Sequence, residues 1–225
     1  MEYRRRRVIT MFLLAGVVMI ALAIYAAWQL AQSSHSPQGN GEALAVLEAL
    51  PVKGRAPKTG YARSQFGTGW ATTGGCDTRN IILARDLKQA VVNGNCKVAS
   101  GQLDDPYTGK RVSFQRGSGT STAVQIDHVV ALSNAWQTGA QQLSSEQRQQ
   151  LANDPLELLA VDGPANQQKG DGDAATWLPS HKPFRCQYIA RQIAVKRKYH
   201  LWVTTGEKAA MQRVFATCPG QGMPG

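Results

Sequence analysis

VQIDHVVAL, residues 124–132, places two ionisable residues, Asp127 and His128, inside an otherwise apolar run. A short run rich in β-branched residues predicts a buried strand. A second apolar run, Leu156 to Val161, also predicts a strand, and it leads into GPANQQK at residues 163–169. Pro164 favours a helix start there. We expect the two strands to meet, and their polar residues to form one site.

Length, composition and charge limit the class of protein. The chain has 225 residues, of which 43% are hydrophobic, so we expect one folded domain with a short extension rather than a disordered chain. The net charge is +10. Residues 1–7, with four arginines and one glutamate, supply +3 of it, which leaves a basic remainder. That charge suits a polyanion such as nucleic acid or an anionic surface, and equally a basic protein without such a partner.

The N-terminus predicts export. Residues 1–7 form a basic segment expected to stay cytoplasmic, and residues 8–28 contain no charged residue. This uncharged stretch is long enough to cross a bilayer. We favour an uncleaved signal anchor over a cleaved signal peptide, and both place the remaining chain outside the cytoplasm. Residues 29–41 then form a polar linker. The protein is therefore expected to be secreted, or anchored to the extracytoplasmic face of the membrane through residues 8–28.

Four cysteines, none in a Cys-x-x-Cys pair, predict two disulfides in an exported domain. Four cysteines allow three connectivities. We favour the pairs Cys76–Cys96 and Cys186–Cys218, because each closes a local loop between neighbouring elements.

The remaining pattern predicts an α+β domain over residues 42–218, followed by a flexible tail at 219–225. Residues 51–75, rich in glycine and proline, should form an extended leading segment. We predict a hairpin of residues 97–103 and 110–116 around an Asp-Pro turn. The predicted helices are 42–50, one capped by Asp77 that reaches Ala90, one around Trp136, one capped by Ser144 with Gln147, 184–199, and one capped by Thr205 that ends near Cys218.

These residues resemble the HNH, or His-Me finger, nucleases. The resemblance lies in Asp127-His128, in ELLAV at 157–161 and in Asn166-Gln167-Gln168-Lys169. More narrowly, residues from about 50 to 218 resemble secreted actinobacterial HNH-family proteins, which are related to the C-terminal domain of GmrSD-type restriction endonucleases. The stretches that carry this narrower resemblance are CDTRN at 76–80, DPYTG at 105–109, residues 125–132 and KGDGD at 169–173.

The resemblance implies a ββα-metal core, with surrounding helices and the small hairpin. It implies an exported, metal-dependent endonuclease in which His128 is the general base that activates water. One divalent cation, Mg²⁺ or else Mn²⁺ or another divalent ion, would be held by Asp127 and Asn166. Lys169, one turn beyond Asn166, would reach phosphate. Neighbouring strand residues point to opposite faces, so a bend or bulge is expected at Asp127-His128.

Glu157 departs from the family pattern, which has asparagine there to brace the loop and hold the catalytic histidine. We expect Glu157 to accept a hydrogen bond from His128, to fix its tautomer, and to raise its pKa.

Several further basic residues are candidates for contacts with nucleic acid, DNA being favoured over RNA, or are simply solvated: Arg79, Arg191 and Lys196. The protein is expected to be a monomer. Two alternatives to a nuclease stay open. One is a non-catalytic extracytoplasmic nucleic-acid-binding module with a degenerate HNH site, and the other is a basic structural protein of the cell envelope.

Overall fold

The computed structural model describes residues 41–224. The predicted basic segment, signal segment and most of the linker lie outside the described residues. Within residues 41–224, no helix combines the length and apolar character needed to span a membrane. The described chain is a mixed α+β structure, as the sequence predicts.

Seven α-helices and seven strands occur within residues 41–224. The helices are α1 (Glu42–Ala49), α2 (Thr78–Asp86), α3 (Leu132–Gln137), α4 (Ser145–Asn153), α5 (Gly163–Lys169), α6 (Arg185–Lys198) and α7 (Thr205–Phe215). The strands are β1 (Thr72–Thr73), β2 (Cys76–Asp77), β3 (Lys88–Asn93), β4 (Lys97–Asp104), β5 (Arg111–Gln115), β6 (Val124–His128) and β7 (Leu158–Asp162). Short 3₁₀ turns cover Arg63–Phe66, Ala140–Gln142 and Lys182–Phe184.

The two predicted apolar runs form an antiparallel pair, β6 with β7, which helix α5 follows directly. The register runs from Val124 opposite Asp162 to His128 opposite Leu158 without a shift. The register therefore excludes a bulge at Asp127-His128, while the alternative, a bend there, stays a prediction. The side chain of Asp162 caps α5 by accepting from Ala165 N at 3.0 Å. A Cβ on Gly163 would lie 2.1 Å from the carbonyl oxygen of Thr122, so only glycine fits where the helix begins.

A separate three-stranded sheet, ordered β3-β4-β5, contains the predicted hairpin of β4 and β5. Its turn is fixed by Asp105, whose carboxylate accepts from Thr108 N at 2.7 Å. The predicted extension of α2 to Ala90 is wrong, because the helix ends at Asp86 and the chain continues as β3. The Asp86 carboxylate accepts from Ala160 N in β7 at 2.8 Å, and Val91 and Val92 favour the extended conformation that pairs with β4.

Two apolar clusters support these elements. The larger one lies among the helices and includes Leu47, Ile189 and Met211, and the smaller one lies among α2, β4, β6 and β7. The predicted capping box of Ser144 and Gln147 is present. The last helix is capped by Thr204 rather than Thr205, because Thr204 Oγ1 accepts from Glu207 N.

Both predicted disulfides are confirmed. Cys76 is bonded to Cys96, which joins the start of α2 to the β3–β4 turn. Cys186 is bonded to Cys218, which joins the start of α6 to the chain that follows α7.

Candidate active site

His128 ends strand β6, and its ring is held from two sides. Its Nε2 lies 3.0 Å from the carbonyl oxygen of Ala152 at the end of α4. A carbonyl oxygen can only accept, so Nε2 carries the hydrogen of the neutral ring and Nδ1 keeps the lone pair. The indole of Trp70 lies parallel to the imidazole within 5°, with ring centroids 5.8 Å apart. Both contacts fix the ring orientation.

The environment of His128 favours the neutral ring. Burial lowers its pKa to about 3, and the positive charge of Arg63 acts in the same direction. A histidine with this pKa is uncharged near neutral pH and keeps the lone pair of Nδ1. The same burial opposes protonation, so His128 in this conformation is a weaker base than a solvated histidine.

Glu157 makes no hydrogen bond with the His128 ring, contrary to the prediction. Its Oε2 accepts from Val130 N at 3.2 Å, while the Glu157 backbone carbonyl accepts from Val129 N at 2.8 Å. Burial raises the pKa of Glu157 well above its ordinary value. Its role in this geometry is to hold the chain that follows His128, and the tautomer of His128 is set by Ala152 instead.

Asp127 points into a buried polar cluster. Its carboxylate accepts from the hydroxyl of Tyr107 and from Lys169 Nζ, the latter at 2.9 Å. Lys169 Nζ also donates to the backbone carbonyl of His128 at 2.7 Å. The Lys169 side chain is 0% exposed. This conformation therefore offers no ammonium to a phosphate, contrary to the predicted contact, and Lys169 instead fixes the end of β6.

Asn166 faces Gln125 across the mouth of the same site. Asn166 Nδ2 donates to Gln125 Oε1 at 2.9 Å, which leaves Asn166 Oδ1 able to bind a cation. A cavity of about 460 Å³, here called the Asp127 cavity, brings the predicted residues together. Its lining includes Arg63, Arg79, Gln125, Asp127, His128 and Asn166.

The cavity offers carboxylate and amide oxygens, which are the ligand types that a hard divalent cation prefers. Within residues 41–224 there is no group of three or more His, Cys, Asp or Glu side chains that could hold a metal ion. The candidate ligands are the amide oxygen of Asn166 and the carboxylate of Asp127, whose two oxygens already accept from Tyr107 and Lys169. Mg²⁺ bound to so few protein oxygens would retain several waters. The charge of Lys169 opposes this, because it already neutralises Asp127.

The other predicted contacts with nucleic acid differ in placement. Arg79 lines the Asp127 cavity, and its guanidinium donates to the backbone carbonyls of Ser121 and Val124 at 3.4 and 3.3 Å, so its contact with nucleic acid stays a prediction. Lys196 is fully buried and paired with Glu207 at 3.1 Å. Arg191 donates to the backbone carbonyls of Leu156 and Pro155. Lys196 and Arg191 therefore hold the fold together, contrary to the prediction that they follow a nucleic-acid backbone.

Sequence reasoning did not assign the roles of four residues at this site. Tyr107 lies in a stretch that carries the family resemblance, and Gln125 lies two residues before Asp127, so both had a local signal. Arg63 and Trp70 belong to the leading segment, where low periodicity gave no signal.

Comparison with known proteins points to one family. The family model described as "GmrSD restriction endonucleases, C-terminal domain" matches residues 77–214. An uncharacterized secreted protein of Arthroderma benhamiae is 38% identical over 178 residues, which cover 78% of this chain and 84% of that protein. No solved structure matches the chain.

Proposed function

The chain belongs to the family of GmrSD restriction endonuclease C-terminal domains, and on this premise we propose that it is an exported, metal-dependent endonuclease that hydrolyses phosphodiester bonds. The observation that carries the proposal is the position of His128. Its ring is neutral, oriented by Ala152, and borders the cavity lined by Asp127 and Asn166.

His128 acts as the general base in this proposal. Its Nδ1 takes a proton from a water molecule, whose oxygen attacks phosphorus. The bond from phosphorus to the 3′ oxygen breaks, and that oxygen takes a proton from solvent. The products are a 5′-phosphate and a 3′-hydroxyl. Trp70 lies parallel to the imidazole and restricts its orientation, and Lys169 holds the backbone carbonyl of His128.

Asp127 and Asn166 are the residues that would hold the cation. A divalent cation there would bind the scissile phosphate and offset the charge that develops on the leaving oxygen. The ion pair with Lys169 holds the Asp127 carboxylate in place.

The location and substrate proposals rest on separate observations. Two disulfides and a relative described as secreted are consistent with an extracellular location. Anchoring through residues 8–28 is part of the proposal. A net charge of +10 supports nucleic acid as the substrate, with DNA favoured.

Cleavage of plasmid DNA with Mg²⁺ or Mn²⁺ tests the proposal. His128→Asn should lower the rate roughly 10²- to 10⁴-fold, and EDTA should abolish cleavage. The matched control is His200→Asn, since His200 is exposed and asparagine tolerates its φ of 53°. Cleavage that survives both EDTA and His128→Asn would refute the assigned roles.

One observation favours the second candidate, a non-catalytic nucleic-acid-binding module. Lys169 neutralises Asp127 inside the protein, which weakens the attraction for a cation. Salt-dependent binding of DNA without cleavage under any divalent metal would support this module. Neither binding nor cleavage would favour a structural role in the envelope.

A further inference from the structure

The leading segment is fixed against the domain beside His128. Ala56 N donates to Gln137 O at 2.8 Å, and Ala71 N donates to the side chain of Asn153 at 2.8 Å. Between them, Arg148 Nε donates to Gln65 O at 2.9 Å. The whole of this segment, residues 51–75, precedes the residues that match the family model, which begin at Asp77.

Residues 63–70 of this segment form one wall of a second cavity, of about 430 Å³, here called the Trp70 cavity. Its lining includes Arg63, Phe66, Gly69 and Trp70 on one side and His128 and Ala152 on the other. Arg63, His128 and Leu132 line both cavities. A ligand bound at His128 can therefore extend into either one.

The two cavities differ in chemistry. The Asp127 cavity presents carboxylate, amide and guanidinium groups, which suit phosphate and a cation. The Trp70 cavity is lined by the indole of Trp70, the buried Phe66, the hydroxyl-bearing Ser64 and Thr68, and the aliphatic Leu132 and Ala152. Its volume lies within the range of about 300–1,000 Å³ typical of small-ligand pockets. Aromatic walls beside a basic residue suit a planar base attached to a phosphate. The exposed Arg63 stands where the two cavities join.

We infer that the Trp70 cavity binds one nucleobase of the strand being cleaved, and that Arg63 binds the adjoining phosphate. This inference rests on the proposed function. A base reaches such a cavity only after leaving the stack of a duplex. The substrate class is therefore single-stranded or locally unpaired nucleic acid.

Gly69 provides a test that leaves the existing contacts in place. Gly69 lines the cavity, a Cβ there meets no atom within 4 Å, and its φ is not left-handed, so Gly69→Leu adds a bulky side chain at the cavity without a clash at Cβ. Gly94→Leu is the matched control, since Gly94 is equally open and lies in the β3–β4 turn. Binding is measured by fluorescence anisotropy in EDTA, with a single-stranded oligonucleotide, the same strand with an abasic nucleotide at every position, and the matching duplex.

The native protein should bind the normal single strand more tightly than the abasic strand or the duplex. Gly69→Leu should weaken binding of the normal strand roughly five-fold or more and leave binding of the abasic strand unchanged. Gly94→Leu should change neither. Arg63→Ala should weaken the binding of both the normal and the abasic strand, and it should reduce the slope of log affinity against log salt concentration by about one phosphate contact. Arg111→Ala removes an exposed arginine on β5 and should change neither quantity.

The outcomes separate this inference from the proposed function. Cleavage of duplex and single strand at equal rates, with Gly69→Leu indistinguishable from native, would overturn the nucleobase subsite while the nuclease stands. Base-dependent binding that Gly69→Leu abolishes, without cleavage under any divalent metal, would support the subsite and refute the nuclease.

Discussion

Replacing Lys169 with methionine should destabilise the protein strongly. Methionine keeps a long, flexible side chain but removes the charge. Lys169 Nζ lies 2.9 Å from the Asp127 carboxylate and 2.7 Å from the carbonyl oxygen of His128, and both side chains of the ion pair are buried. Lys169→Met therefore leaves the charge of Asp127 inside the protein with only the Tyr107 hydroxyl as a donor.

The expected loss follows from that geometry. Breaking one side of a buried ion pair costs about 3–5 kcal/mol of unfolding free energy, because the remaining charge is uncompensated. In a domain of this size, that loss lowers the melting temperature by roughly 6–20 °C. Adding Asp127→Asn to Lys169→Met should recover part of the loss, since a neutral amide needs no counter-charge.

Urea unfolding followed by circular dichroism, with both disulfides intact, gives the free energies. The control is Lys88→Met, which breaks an ion pair with Asp104 whose side chains are 69% and 45% exposed, and it should cost less than about 1 kcal/mol. The opposite outcome is a Lys169→Met variant whose free energy of unfolding lies within about 1 kcal/mol of the native value and which binds DNA less tightly. Lys169 would then face the substrate, and the buried cluster would be refuted.

Three further predictions concern stability. Burial raises the pKa of Glu157 above its ordinary 4.5, so the folded protein retains a proton that the unfolded chain releases, and the contribution of Glu157 to stability should fall as pH rises above about 4.5, while that of the buried His128 rises up to about pH 6.5. Glu157→Gln should remove that fall, measured as unfolding free energy from pH 4 to 8. Replacing Cys186 and Cys218 with alanine opens a link across 32 residues and should cost about 3–4 kcal/mol in the same assay. Gly163→Ala should lower stability by at least about 1–3 kcal/mol in thermal melts, because its Cβ would collide with the carbonyl of Thr122.

Each of these predictions has a control. Glu146→Gln, at an exposed glutamate in α4, should leave the pH profile unchanged, and a profile of Glu157→Gln that matches native would contradict the buried-acid explanation. Gly94→Ala has open space around its Cβ and should be nearly neutral. Equal melting temperatures for the two glycine variants would mean that α5 starts differently. A cysteine variant as stable as native would contradict the constraint assigned to that disulfide.

Local signals account for the parts of the fold that sequence reasoning found. Three such signals act over only a few residues: the capping box of Ser144 with Gln147, the helix start at Pro164 and the turn at Asp105. The structure that each one forms can therefore be predicted from the sequence. The α2–β3 boundary was missed because it depends on Asp86, whose carboxylate binds Ala160 far along the chain. Such a contact leaves no local pattern.

The same reason separates the predicted from the unpredicted parts of the site. The sequence pattern predicted that Asp127, His128 and Asn166 meet, and the three residues line one cavity. It did not show that Lys196 meets a buried Glu207, because the partner lies on another helix. Basic residues on a helix look alike in sequence whether solvent or an acid covers them, and only the fold distinguishes them.

The attachment of the leading segment has a consequence for synthesis of the chain. Gly54 accepts a hydrogen bond at 3.0 Å from the indole of Trp202, 148 residues later, and Arg55 pairs with Asp173, 118 residues later. A ribosome adds about 5–20 residues per second, so Gly54 waits roughly 7–30 s for its partner. The wall formed by residues 63–70 thus gains its last anchors only when most of the chain exists. The Trp70 cavity is a late product of biosynthesis, although its first residues are among the earliest of the domain to be made.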